Sequence, residues 1–232
     1  MAGFTSANVK ENPMITLENV TKSFCEKTIL DAVSLTVGEG DHVAVGGVSG
    51  CGKTTLLRLI AGLDAPDQGE IRIAGELASS AGKIILPPHR RQLGFVFQSS
   101  ALWPHMNVAQ NILFGLGNMP KIQSAEALSE ILTSTGTTHL AKQMPDTLSG
   151  GERRRVAIAR TLAPKPKILL MDEPLTNLDP TAQAELGALV REIVERSAMT
   201  LIYVTHSKRE AALICDKHYV LKDSKLKKDP RS

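Results

Sequence analysis

Short apolar runs alternate along this chain with segments whose apolar residues recur at spacings of three and four. The runs at 42–45 and 167–171 are typical of strands, and the second, apolar throughout its last four positions, fits a strand buried on both faces of a parallel sheet. This alternation predicts an α/β fold built on a parallel sheet. Helical spacing recurs in three segments, formed by Leu56, Leu59, Ile60 and Leu63, by Val156, Ala159, Leu162 and Ala163, and by Leu186, Leu189, Val190 and Ile193.

The same pattern divides the chain into three portions. Residues 14–97 are rich in strand patterns and carry turn signals at 66–69 and 86–88. Residues 98–155 become helical, and residues 156–232 return to alternating strands and helices. We therefore expect one domain over 14–232, with a core at about 14–97 and 156–232 and an inserted helical subdomain at about 98–155. The strand-rich first portion is expected to include an antiparallel β subdomain.

A glycine-rich loop follows the strand at 42–45 and opens the first predicted helix. It fits the P-loop pattern, in which glycines let backbone N–H groups curl around phosphate oxygens and Lys53 adds a positive charge near the β- and γ-phosphates. Thr54 would then ligate Mg²⁺. The alternative is a glycine-rich turn with a surface lysine. The expected nucleotide contacts are Gly47, Val48, Ser49, Gly50, Cys51, Gly52, Lys53, Thr54 and Thr55.

Two carboxylates end the apolar run at 167–171. Asp172 is placed to hold Mg²⁺, and Glu173 can polarise an attacking water as the general base for cleavage of a γ-phosphate. Acidic residues that merely cap a core strand are the alternative. The P-loop upstream favours the catalytic interpretation.

A second anion-binding helix start is predicted at Leu148-Ser149-Gly150-Gly151-Glu152. Ser149 can cap the helix that contains Val156, and the two glycines leave backbone amides accessible. Two phosphate-binding helix starts, only one with a lysine, indicate that a γ-phosphate is held between two copies of the protein. An ordinary capped surface helix is the alternative.

These motifs together resemble those of ATP-binding cassette (ABC) ATPases. The stretch at 148–152 matches the signature motif of that family, and the order of P-loop, glutamine loop, signature, Asp-Glu strand and late histidine is similar too. The resemblance extends from about Ile15 to Leu226. It implies a RecA-like P-loop NTPase core, ATP and Mg²⁺ as ligands, and a head-to-tail dimer in which each ATP contacts Lys53 of one copy and the signature of the other.

The resemblance also assigns roles to residues outside the three main motifs. Gln98 is implied to complete the shell of Mg²⁺ and water, and His206 to contact the γ-phosphate and orient the water. Asp179 belongs to a loop that crosses the dimer interface, and Phe24 is implied to stack on adenine. The contacts implied in trans are Leu148, Ser149, Gly150, Gly151, Glu152 and Asp179.

Each of these residues has an ordinary structural interpretation as well. Gln98 could be a solvated loop residue, and His206 a structural histidine at a strand end. Phe24 could belong to the core. Asp179 followed by Pro180 is also a good helix start, which is compatible with its implied role.

The stretch from residue 91 to 112 resembles that of import ATPases, in which this surface receives a separate permease. Trp103, the only tryptophan, would suit a partner groove there, and local packing is the alternative. Importer ATPases with this loop often carry an additional C-terminal regulatory domain, and we expect none within these 232 residues. Gly47 and Arg154 depart from the family pattern, since Pro or Ala and Gln are more usual at these positions.

Bulk properties agree with a cytosolic ATPase. The 232 residues are 42% hydrophobic, which supplies the interior of one domain, and no apolar run approaches the roughly 20 residues that span a bilayer. Residues 1–13 lack the apolar core of a signal peptide, and three cysteines give no disulfide framework. The net charge of +3 does not call for nucleic acid.

The sequence therefore predicts an ATP-hydrolysing subunit at the cytoplasmic face of the cell membrane. Its expected partners are a second copy of itself or a paralogous ATPase, transmembrane permease subunits, and in an import system a solute-binding protein. An exporter or lipid-extracting ATPase is the nearer alternative, and a soluble ABC ATPase acting on DNA or ribosomes is the more distant one.

Overall fold

Two sheets and six helices make up the computed structural model, which describes residues 13–117 and 120–230. The strands, in chain order, are β1 Ile15–Phe24, β2 Lys27–Val37, β3 His42–Gly46, β4 Gln68–Ile73, β5 Glu76–Ser80, β6 Lys83–Ile84, β7 Leu93–Val96, β8 Ile168–Asp172, β9 Thr200–Thr205, β10 Lys217–Lys222 and β11 Lys225–Lys228. The helices are α1 Lys53–Ala61, α2 Val108–Gly115, α3 Lys121–Ser134, α4 Gly150–Leu162, α5 Pro180–Arg196 and α6 Lys208–Ile214.

The larger sheet has six strands in the order β11-β10-β3-β9-β8-β7. Every neighbouring pair is parallel except the β10–β11 hairpin. All residues of β8 and β9 are buried, as expected for central strands that are covered on both faces. The parallel sheet predicted from the apolar runs is therefore present, and its carboxyl edge receives the loops after β3, β7, β8 and β9.

The smaller sheet contains five antiparallel strands in the order β2-β1-β4-β5-β6. Its buried face shares one hydrophobic core with α1 and with one face of the larger sheet. A second core lies between the other face of the larger sheet and α5. The two sheets thus enclose α1, the helix that follows the P-loop.

A third hydrophobic cluster is formed by α2, α3 and α4. Helix α4 joins two clusters, because Ile158 and Leu162 pack in the second core whereas Val156 and Ala159 pack in the third. It also runs through residue 155, where the sequence places the end of the helical subdomain. The division into a core and a subdomain at 98–155 stays a prediction.

The starts of α4 and α5 follow the local sequence, whereas the end of α1 does not lie where the apolar spacing predicts it. Ser149 and Glu152 form a reciprocal capping box at the start of α4, and Asp179 caps α5 by accepting from the N–H groups of the second and third helical residues. Leu63, expected within the first helix, lies beyond it. Helix α1 ends at Ala61, because the left-handed conformation of Gly62 (φ 74°) caps it, and Leu63 is exposed.

A buried arginine connects the two sheets. Arg91 is 1% exposed, and burial lowers the pKa of its guanidinium to about 10. The guanidinium reaches the smaller sheet, the end of α1 and the turn before β7, so three parts of the fold share one donor group. Its acceptors are Leu86 O, Leu59 O, Ile60 O, Ala78 O and Ser79 Oγ, at 2.7–3.1 Å.

Among the described residues, no helix combines the length and the apolar character needed to cross a membrane.

We predict that Arg91→Met destabilises the protein by roughly 3–5 kcal/mol, because it leaves buried carbonyl groups without a donor. Urea unfolding followed by circular dichroism measures the change. Arg90→Met is the matched control, since Arg90 is exposed on the same turn, and it should shift the free energy of unfolding by less than about 0.5 kcal/mol. Equal effects of the two substitutions would refute the connecting role of Arg91.

Candidate functional site

The P-loop lies between β3 and α1 and is tightly packed at its first residue. A side chain added at Gly47 would place its Cβ 2.6 Å from Cys51 Sγ and 2.6 Å from the Leu221 carbonyl oxygen of β10. Gly50 and Gly52 have φ values of 75° and 110°, which favour glycine. The departure from the family pattern at Gly47 thus has a steric reason that the sequence alone did not reveal.

Lys53 points back into the loop that precedes it. Its Nζ donates to the carbonyl oxygens of Gly47 and Val48 at 3.0 and 3.1 Å and lies 3.3 Å from Glu173 Oε1. The side chain is only 4% exposed, and these three oxygens satisfy the buried cation. This geometry places a positive charge at the centre of the loop, as the sequence predicts.

Thr54 and Asp172 meet at the base of the loop although 118 residues separate them. Thr54 Oγ1 donates to Asp172 Oδ2 at 2.8 Å. Burial raises the pKa of Asp172, and the bond from Thr54 and the Lys53 cation counteract this effect only in part. A hydroxyl and a carboxylate side by side are oxygen donors of the kind that Mg²⁺ prefers.

This donor pair fits Mg²⁺ bound together with a nucleotide. In the described ranges, 13–117 and 120–230, no group of three or more His, Cys, Asp or Glu side chains could hold a metal ion by itself. A site with two protein oxygens, completed by phosphate oxygens and water, is the usual arrangement for Mg²⁺ in nucleotide enzymes. Thr54 and Asp172 would hold the ion.

Glu173 lies where three elements converge. Its Oε1 faces Lys53, and its Oε2 lies 3.2 Å from Nδ1 of His206, the residue after β9. Its backbone adopts a left-handed conformation with φ 45°, while its N–H still donates to Val204 O at 2.9 Å. A left-handed conformation is uncommon for glutamate and carries strain, which is typical of functional positions. The structure therefore brings Glu173 and His206 together.

Gln98 and Phe24 are both exposed. Gln98 follows β7, which pairs in parallel with β8, so it lies at the same sheet edge as Asp172. Phe24 ends β1 and is 49% exposed, with Lys22 Nζ 5.4 Å from its ring centroid. The core interpretation of Phe24 is therefore wrong. An exposed ring at this position is free to stack on a planar ligand.

The signature helix presents its backbone rather than its apolar residue. Leu148 is buried in the third cluster, whereas Ser149 and Gly150 are exposed. Hydrogen bonds from Ser149 lower the pKa of Glu152, so the carboxylate stays ionised beside the helix start. A Cβ on Gly150 would lie 3.9 Å from Leu178, so the signature borders the loop that ends at Asp179.

Trp103 combines the two interpretations that the sequence left open. The ring packs edge-on against Phe114 at 5.6 Å and remains 43% exposed. Its backbone is fixed by the fully buried Asn111, which accepts from Trp103 N and donates to Trp103 O. The residue is held by local packing and still presents an aromatic surface to solvent.

Sequence reasoning did not predict the burial of two residues near the site, Arg154 and Glu210. Arg154 donates to the carbonyl oxygens of Phe97 and Gln98, and Glu210 accepts from Tyr203 and Thr205, just before His206. Arg154 precedes Ile158 and Leu162 at intervals of four. That placement on the buried face of α4 was the available signal for a buried arginine.

Comparison with known proteins identifies the family. A protein-family model described as ABC transporter matches residues 30–176. The chain belongs to the ABC transporter family. The resemblance stated from the motifs is therefore confirmed, and so is the expected P-loop NTPase fold, because the chain superposes on a dimeric ATP-binding cassette, MJ0796, bound to ADP and Pi. That likeness has a TM-score of 0.82 and 31% identity, and covers 93% of this chain and 98% of the other.

Curated ABC relatives are named as transport or import ATP-binding proteins. The putrescine transport ATP-binding protein PotG of Escherichia coli K12 is 40% identical over 216 residues, which cover 92% of this chain and 56% of the relative. The Fe(3+) ions import ATP-binding protein FbpC of Brucella melitensis is 42% identical over 211 residues, which cover 90% of this chain and 58% of the relative. The chain thus spans little more than half the length of these relatives.

We predict that Asp172→Asn stabilises the protein, measured without nucleotide at pH 7, by about 1 kcal/mol. The raised pKa of Asp172 means that the ionised carboxylate is disfavoured by folding, and an asparagine still accepts from Thr54. The advantage of the variant should shrink as the pH falls, because protonation then neutralises Asp172 itself.

Thermal unfolding at a series of pH values measures this difference. Asp146→Asn, at an exposed carboxylate, is the matched control and should leave the midpoint nearly unchanged. A lower midpoint for Asp172→Asn at pH 7 would show that burial of this charge does not cost stability.

Proposed function

We propose that this chain is the ATP-binding and ATP-hydrolysing subunit of an ABC import system, acting as a dimer on a separate permease. The observation that carries the proposal is the convergence of Lys53, Thr54, Asp172, Glu173 and His206 at one edge of the parallel sheet. These side chains provide a phosphate-binding cation, metal-binding oxygens, a base and an orienting imidazole.

Nucleotide binding begins at the P-loop. Phosphate oxygens would replace the carbonyl oxygens of Gly47 and Val48 as acceptors for Lys53, and the first N–H groups of α1 would donate to them. Phe24 would stack on the adenine from the end of β1. Mg²⁺, held by Thr54 and Asp172 with Gln98 completing its shell, would supply positive charge that neutralises the phosphate oxygens when bound.

Hydrolysis requires a water placed between Glu173 and the γ-phosphorus. Glu173 accepts a proton from this water while the oxygen of the water bonds to the γ-phosphorus. The bond between the γ-phosphorus and the bridging oxygen breaks, and ADP leaves with the electron pair. His206 Nδ1, 3.2 Å from Glu173 Oε2, orients the carboxylate. The imidazole ring would also contact the γ-phosphate. Lys53 offsets the charge that develops on the phosphate oxygens.

The signature is proposed to act on the nucleotide bound by the other copy. At the start of α4, Ser149 and Gly150 are exposed and Gly151 is half-buried, which suits a phosphate that arrives from outside the chain. The neighbouring loop ending at Asp179 would cross the interface beside them. Closure would sandwich two ATP molecules head to tail, and loss of the γ-phosphates would let the dimer open. The similarity to a dimeric ADP-bound and Pi-bound cassette supports this arrangement.

The permease is proposed to dock on the surface around Trp103, which would hold this chain at the cytoplasmic face of the membrane. An exposed aromatic on a fixed loop beside Phe114 supports such a contact. Relatives of nearly equal identity are named for two unrelated cargoes, putrescine and Fe(3+). We infer that the permease and a solute-binding protein select the cargo, whereas this chain supplies the energy of ATP.

We predict that Glu173→Gln binds ATP with nearly unchanged affinity, lowers kcat at least 100-fold and accumulates an ATP-bound dimer. The amide cannot accept the proton of water, whereas Lys53 and the loop remain intact. Phosphate release measures turnover, and size-exclusion chromatography with ATP measures the dimer. Glu192→Gln, at an exposed carboxylate on α5, should turn over normally. Normal turnover by Glu173→Gln would exclude Glu173 as the base.

We predict that Ser149→Arg blocks dimer formation while the monomer still binds ATP, because a large cation would occupy the space of the partner's phosphate. Ser149→Ala is the control, since it removes only the helix cap at a cost of about 1 kcal/mol. The alanine variant should still dimerise with ATP. Loss of ATP binding by the arginine variant in the monomer would contradict the sandwich.

A further inference from the structure

The segment at 97–101, which contains Gln98, is hydrogen-bonded to the signature helix α4. Two arginines of α4, Arg154 and Arg160, donate to its backbone. Arg154 Nη1 lies 3.1 Å from Phe97 O and also donates to Gln98 O. Arg160 Nη1 lies 2.8 Å from Ala101 O, and its Nη2 lies 3.4 Å from Ser100 O. Four carbonyl groups within residues 97–101 are therefore held by one helix.

Arg154 is an unusual residue to bury at this position. Its side chain is 8% exposed, and its Nε is buried without a hydrogen-bond partner among the described residues. Its hydrogen-bonding acceptors are neutral carbonyl groups, and burial lowers the pKa of the guanidinium. A buried cation without a paired carboxylate costs stability, so its presence points to positioning rather than to a gain in folding energy.

A second buried network reaches the other side of the site. Glu210 of α6 is 7% exposed and accepts from Tyr203 Oη at 3.0 Å and from Thr205 Oγ1 at 2.8 Å. These bonds fix the end of β9 directly before His206. The Arg154 cation interacts electrostatically with the Tyr203 hydroxyl and lowers its pKa, against the larger effects of burial and Glu210, which raise it. The residue that precedes His206 is therefore held by a buried network of its own.

We propose that Arg154 is a positioning residue that keeps Gln98 in register with the signature helix, so that a displacement of α4 carries Gln98 with it. The proposal rests on the proposed function, in which Gln98 acts on the nucleotide of its own chain and Ser149 on that of the partner. Ser149 and Arg154 lie about one and a half turns apart on α4. A single helix would then connect the two nucleotide sites of the dimer.

Three variants test the role of Arg154. Arg154→Met removes every donor and keeps an apolar side chain in the buried position. Arg154→Gln is neutral and retains an amide that can donate to Phe97 O or Gln98 O. We call the hydrogen bonds from Arg154 to Phe97 O and Gln98 O the clamp. Arg153→Met is the matched control, because Arg153 is exposed on the same helix and takes no part in the clamp.

The steady-state kinetics separate positioning from binding and folding. At a temperature where all variants are folded, we expect Arg154→Met to lower kcat at least tenfold while KM for ATP stays within about twofold, because Lys53 and the P-loop are untouched. Arg154→Gln should retain kcat within about threefold of the wild type, since its amide restores a donor to these carbonyls. Arg153→Met should match the wild type.

The single tryptophan gives a readout that does not depend on hydrolysis. Trp103 follows the segment at 97–101, and its fluorescence reports how well that segment is ordered. Acrylamide quenching should increase in Arg154→Met and stay unchanged in Arg154→Gln and Arg153→Met. A wild-type protein without ATPase activity would overturn the proposed function, while the quenching difference would still support the clamp.

Two results would overturn the clamp itself. One is a kcat for Arg154→Met within twofold of that for Arg153→Met, together with unchanged quenching. The other is equal loss of kcat in Arg154→Gln and Arg154→Met, which would assign the effect to the charge of Arg154 rather than to its donors. Both comparisons use folded proteins, so a lower unfolding midpoint alone does not alter either result.

Discussion

The parallel register of β3, β9, β8 and β7 is the constraint on which the site depends. Asp172 pairs with Val204, and Met171 pairs with both Val96 and Tyr203, so the carboxyl ends of these strands reach one edge together. A slip of one residue would turn every side chain of a strand to the opposite face. Ile168 and Leu170 pack in the first core and Leu169 and Met171 in the second, so close packing on the two faces of β8 opposes that slip. The hydrophobic pattern that builds the sheet therefore also brings the carboxylates, the histidine and the P-loop into contact.

The charged side chains at this edge pair with one another, and burying them lowers the free energy of unfolding of the protein. Lys53, Asp172 and Glu173 are mostly buried, and each lies beside an oppositely charged or hydrogen-bonding group. Such an arrangement stabilises the protein less than an apolar core of the same size would. It persists because the strands and α1 over-determine the positions of these side chains. Arg91 contributes to that rigidity by joining the smaller sheet to the end of α1.

The sequence predicted those parts of the molecule whose physics is local. The caps at Ser149 and Asp179 and the P-loop follow from neighbouring residues, and the structure has them where they were expected. The strand expected at 167–171 lies at 168–172. Leu63 was misplaced because the helical spacing continues past Gly62, which ends the helix. The hydrogen bonds of Arg154 were not predicted, since its carbonyl acceptors lie 56 and 57 residues away and carbonyl groups leave no mark in a sequence. Non-local hydrogen bonds to the backbone are the part that pattern alone does not reveal.

Helix α4 is anchored in the protein interior at its carboxyl-terminal end and exposed at its amino terminus. Its 13 residues extend for roughly 20 Å, and its carboxyl-terminal half packs into two hydrophobic clusters while its amino terminus is exposed. A tilt of about ten degrees around the buried end would sweep the signature glycines through about 3 Å, a full hydrogen-bond length. A small tilt at the buried end would therefore become a larger displacement at the exposed end, in proportion to the length of the helix.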